Sequence, residues 1–98
     1  MRVVAVGGEA FVSAMRLAGA GTVQAGSPEE ALAAVSKLVS EGDVGLILVS
    51  DEYGQEFSQK LSELRAAIAV PVIYLLPAPG SKVQPVDYRA VIRQVLGV

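Results

Sequence analysis

Two rhythms of hydrophobic and polar positions take turns along this chain. Short, nearly continuous apolar runs occupy residues 2–6 (RVVAV), 22–25 (TVQA), 45–50 (GLILVS) and 71–76 (PVIYLL). Their β-branched content and their Gly and Pro boundaries predict strands. The run at 45–50 has no polar alternation, the mark of a central strand covered on both faces. Between the runs the spacing becomes helical. Phe11, Met15 and Ala18 recur over residues 9–18, with Ala14 and Leu17 beside them, and Gly19 and Gly21 end that helix. Ser27-Pro28-Glu29-Glu30 opens a second helix that runs to about Ser40: Ser27 caps, Pro28 fits the first turn and Glu30 completes a capping box. Tyr53, Phe57, Leu61, Leu64 and Ile68 form the apolar stripe of a third helix, with Gln55, Glu56, Gln59, Lys60, Glu63 and Arg65 pointing elsewhere. Residues 77–85 read as a loop by composition. Asp87 then caps a last helix whose apolar face carries Tyr88, Val91, Ile92, Val95 and Leu96.

The predicted order is β-α-β-α-β-α-β-α. Such alternation implies an α/β fold: one domain over residues 1–98, an open parallel four-stranded sheet with right-handed crossovers and helices on both faces, receiver- or Rossmann-like. Function in such sheets gathers outside the carboxyl ends of the strands. Here those ends are Val6-Gly7-Gly8-Glu9, Ala25-Gly26-Ser27, Ser50-Asp51-Glu52 and Leu76-Pro77-Ala78.

Composition narrows the chemistry. The chain has 98 residues, 52% apolar and 18% charged, with a net charge of −2. Without a block of Lys or Arg there is no electrostatic footprint for nucleic acid. Cys and His are both absent, which removes disulfides, thiol nucleophiles, Cys/His zinc sites and histidine acid–base chemistry. The apolar excess, rich in Ala and Val, either leaves surface for a partner or reflects small residues. The opening MRVVAVGGEAF is too short and glycine-broken for a signal peptide or membrane span, and Met1 reads as the start of the first strand.

Each strand end has a chemical and a plain reading. Gly7-Gly8 before a helix suits an anion, but no Lys-Ser/Thr follows and no G-x-G-x-x-G is present. A tight turn with Glu9 complementing the helix dipole is the plainer account. Asp51 resembles the phosphoryl-accepting aspartate of a response-regulator receiver domain. That chemistry also needs an acidic pair after the first strand, a hydroxyl after the fourth and a lysine after a fifth. The sequence offers Glu9 alone, then Leu76-Pro77-Ala78, and no fifth strand. Asp51 and Glu52 therefore read as caps and first-turn acids of the third helix. The serines lack a histidine partner, Lys82 sits in a loop, and Tyr74 reads as a core or sheet-edge residue. No catalytic constellation emerges.

Four motifs in order resemble the family of F subunits of V-type and archaeal A-type ATPases. Residues 3–20 (VVAVGGEAFVSAMRLAGA) resemble that family's opening strand, Gly-acid turn and helix. Arg16-Leu17-Ala18-Gly19 match its closing phrase, and Met15 replaces the usual aromatic. Residues 45–57 (GLILVSDEYGQEF), with Asp51 and Glu52, are similar to its strand ending in a hydroxyl and two acids. Residues 70–81 (VPVIYLLPAPGS) resemble its PVI strand and loop, and residues 88–98 (YRAVIRQVLGV) its closing helix. Glu9-Ala10 departs from the usual Asp-Pro or Asp-Glu pair, and some members extend past position 98, which bears on any role for a C-terminal tail.

The resemblance implies a non-catalytic central-stalk subunit of a rotary ATPase, with no cofactor or metal of its own. It would bind the D-type coiled-coil subunit and, through it, the A/B catalytic hexamer and the membrane-ring connector. It would help couple ATP synthesis or hydrolysis to proton or sodium transport, and would be cytoplasmic, peripheral to the membrane and not inserted in it. Asp51 and Glu52 would be rim charges open to basic residues of neighbours. Tyr88, Val91, Ile92 and Val95, with Arg89 and Arg93 on the polar side, are the candidate partner interface, although the four apolar residues equally suit packing on the sheet. Arg16 either serves the partner or stabilises its own helix end. The rival readings are a degenerate receiver-like domain that binds a protein without phosphorylation, and a small ligand-binding domain using the Gly7-Gly8 turn.

Overall fold

A computed structural model describes residues 2–78. Strands β1 (Arg2–Gly7), β2 (Gly21–Gln24), β3 (Val44–Ser50) and β4 (Val72–Leu76) alternate with helices α1 (Glu9–Leu17), α2 (Pro28–Ser40) and α3 (Gln55–Ala67). The strands form one sheet in the order β2-β1-β3-β4, and every pairing is parallel. The alternation of elements and the open α/β class expected from the hydrophobic pattern are both present. The expected last helix lies outside the described residues.

β3 is buried along its whole length, as its unbroken apolar run requires. One face of the sheet joins Val4, Val6, Ile47, Val49 and Ile73 to Ala31, Val35 and Leu38 of α2 and to Phe57 and Leu61 of α3. The other face joins Ala5, Leu46, Leu48 and Leu76 to Phe11 and Met15 of α1. The period-2 alternation of strands sorts these residues: Ala5 pairs with Leu48 on one face, and Val4 with Ile47 on the other.

Helix α2 starts as its sequence dictates. The Ser27 hydroxyl accepts from the Glu30 N–H at 3.2 Å, with Pro28 in the first turn. The Glu30 carboxylate accepts from the Gly26 N–H at 2.8 Å rather than from the cap residue itself, so the reciprocal bond reaches one residue further back than an ordinary capping box.

The third helix departs from expectation. Asp51–Tyr53 form a separate 3₁₀ turn, and α3 begins at Gln55 after Gly54. Gly54 has φ of +92° and ψ of 177°, a conformation open only to glycine. The chain thus breaks between the turn and the helix, so Asp51 and Glu52 are not caps or first-turn acids of α3. Tyr53 still falls in line with Phe57, their ring centroids 5.1 Å apart and tilted at 54°, which explains why one stripe seemed to span both elements.

Candidate functional site

The carboxyl ends of the strands form a rim whose polar groups face one another. Ser50, the last residue of β3, is fully buried, and its hydroxyl donates to Glu52 Oε2 at 3.0 Å. Glu52 also lies against the Gly8 backbone, where a Cβ would collide with its carboxylate. At Gly7 a Cβ would run into the Phe11 ring and the Ser50 side chain. The Gly7-Gly8 turn is therefore filled by the chain's own side chains. Close packing against the Phe11 ring and Ser50 requires glycine at position 7, and beside Gly8 Glu52 places negative charge where a phosphate would have to sit.

Asp51 Oδ1 accepts from the Ala78 N–H at 2.8 Å, tying the turn after β3 to the segment after β4. The Tyr53 hydroxyl donates to the Ala25 carbonyl at 2.7 Å, tying the same turn to the end of β2. Burial, with the Glu52 and then the Glu30 carboxylate nearby, pushes the Tyr53 hydroxyl up to about 12. A proton held that firmly keeps Tyr53 a neutral donor rather than a base. Asp51, Glu52 and Tyr53 together act as a three-way brace across the rim. Asp51 and Glu52, expected as rim charges, are exposed but already engaged inside the molecule. Among the described residues, no three acidic side chains converge in a way that could hold a metal ion.

The Arg16-Leu17-Ala18-Gly19 phrase resolves into separate jobs. Arg16 donates to the Thr22 hydroxyl at 3.2 Å, bracing the end of α1 against β2. Ala18 caps α1, and its N–H bonds back to carbonyls of the last turn. Gly19 takes φ of +96°, the left-handed exit from the helix. Leu17 does none of this and is 80% exposed. It lies beside the α1 stripe in the sequence, at the last residue of the helix, and faces water. Val70, 71% exposed, and Val72 and Tyr74 on the edge strand β4 are the other large apolar residues left open. Tyr74 is thus a sheet-edge residue. Sequence reasoning missed Leu17 and Val70. The signal that could have found them was position: each falls where an apolar pattern meets its terminator. Tyr88, Arg89, Val91, Ile92, Arg93 and Val95 lie outside the described residues.

These features define a small parallel α/β domain whose strand-end rim is closed by its own acids and whose unspent residues are exposed and apolar. Family comparison makes that class specific. A family model described as "ATP synthase (F/14-kDa) subunit" matches residues 3–94. The F subunit of the A-type ATP synthase of Methanococcus maripaludis is 32% identical over 69 residues, covering 69% of this chain and 70% of that protein. The chain belongs to the family of ATP synthase F subunits of A/V-type enzymes. No helix among the described residues is long and apolar enough to cross a membrane.

Proposed function

We propose that this chain is a non-catalytic central-stalk subunit of an A/V-type rotary ATPase. It binds the D-type coiled coil, turns with it, and contributes to coupling between ATP turnover in the A/B hexamer and ion movement through the membrane ring. The observation that carries the proposal is the family match across residues 3–94. The site geometry supports it in two ways. The rim that would host chemistry in an open α/β sheet is spent on internal hydrogen bonds. Within the phrase that matches the family, the one side chain with no folding job, Leu17, is apolar and exposed, as an anchor for a neighbouring protein would be.

The proposal is tested by assembling the A, B and D subunits with and without this chain. The isolated chain should show no ATP hydrolysis. The assembly lacking it should still hydrolyse ATP, at a rate that changes when the chain is restored. ATP turnover by the chain alone, or a rate indifferent to its presence, would overturn the reading.

A further inference from the structure

Every strand pairing is parallel, so each helix runs back against the sheet and ends at its amino edge. The two most exposed large apolar residues among those described both lie at that end. Leu17 is the last residue of α1, which lies along β1 and β2. Val70 stands just before β4, the far edge strand. Beside it, the end of α3 and the start of β4 enclose an open hollow of about 380 Å³. Ala66, Ile68, Ala69 and Pro71 line it, and Arg65 is the charged residue among its described neighbours.

Charge divides the described residues the same way. Glu9, Glu29, Glu30, Asp51, Glu52 and Glu56 gather at the carboxyl end, in first turns of helices and the turn after β3. At the amino end, Arg16, Lys37 and Arg65 stand in the last turns of α1, α2 and α3. That placement complements the helix dipoles. Yet none of the three has an ion-pair partner among the described residues. The acids of the α2–β3 connection, Glu41 and Asp43, share Arg2 instead, at 2.7 and 3.1 Å.

We propose that this amino end, from Leu17 to the hollow beside Val70, docks an acidic amphipathic helix of a partner protein. Charge selects that occupant: the carboxyl end repels it, and the three uncompensated cations attract and orient it. The two apolar anchors favour a helix over a phosphate backbone. The dimensions also suit one. A four-stranded sheet is about 14 Å across, or about two to three turns of helix. A helix laid across the strand starts can set one apolar side chain against Leu17 and another, two or more turns on, in the hollow. Its flanking Asp and Glu residues would then face the cations. The proposal names the face used under the central-stalk reading and rests on that reading for its partner.

Calorimetry of the full chain with the purified D-type coiled-coil protein of the same organism, at low and high salt, tests it. Val70→Asp alters a side chain already in water, so Tm should hold while binding weakens about tenfold or more. Wild-type affinity should fall with added salt. Arg65→Glu should weaken binding and flatten that salt dependence. Glu29→Lys, at the carboxyl end, should not weaken binding. A wild-type complex indifferent to salt, or either Val70→Asp or Arg65→Glu binding at wild-type affinity, would overturn this proposal and spare the central-stalk reading. Weakening by Glu29→Lys would overturn the assignment of the surface to the amino end. No binding by a folded wild-type chain would overturn both readings.

Discussion

Removing the Tyr53 hydroxyl offers a quantitative test of the brace across the rim. In Tyr53→Phe the ring keeps its packing against Phe57, but the Ala25 carbonyl loses its 2.7 Å donor. Ala25 is only 2% exposed, so water replaces that donor poorly. A typical net hydrogen bond contributes about 0.5–1.5 kcal/mol, and an acceptor left unpaired costs about 1–3 kcal/mol. Tyr53 is partly accessible, so the lower end applies: a loss of about 1 kcal/mol at pH 7, or about 4–8 °C in Tm for a domain of this size. The pH dependence adds a second, independent signature. The Tyr53 hydroxyl ionises near 12 in the folded protein, against 10.0 ordinarily. Its contribution is fully present below pH 10 and is lost as pH rises towards 12, because the unfolded chain releases that proton first. The stability gap between wild type and Tyr53→Phe should therefore narrow between pH 10 and 12, since the variant lacks the titrating group. Urea denaturation across that range measures both effects. A gap below about 0.3 kcal/mol at pH 7, or one that does not change up to pH 12, would refute the reasoning.

Three further outcomes follow from the geometry. Gly54→Ala meets no atom within 4 Å, yet at φ of +92° it should cost about 1–3 kcal/mol of backbone strain, seen as a lower denaturation midpoint with unchanged slope. Ser27→Ala removes the acceptor for the Glu30 N–H and should cost about 1 kcal/mol, measured the same way. Leu17→Gln should leave stability within about 0.5 kcal/mol, because the side chain is already in water. Under the rotor proposal it should weaken binding to the D-type coiled coil about tenfold or more in calorimetry.

Much of the fold was legible because its elements differ in period. The apolar run of β3 and the Ser27-Pro28 start of α2 each carry a local physical signal, and both form where that signal falls. The start of α3 was not legible from periodicity alone. Tyr53 and Phe57 are four apart whether or not the backbone breaks between them, and only Gly54 betrayed the break. The rim was legible in place but not in role. Asp51 and Ala78 are brought together because Ser50 pairs with Leu76 across β3 and β4, and strand adjacency cannot be read from residues 27 apart. The exposure of Leu17 likewise depends on where α1 ends against β2, a tertiary fact. The family resemblance, carried by short motifs in order, points to the same family that the comparisons establish.

The most direct measurement of the central claim is size-exclusion chromatography with light scattering on this chain mixed with the purified D-type coiled-coil protein of the same organism. The account predicts a stable one-to-one complex. A well-folded chain that elutes separately from the coiled coil at micromolar concentrations would contradict it.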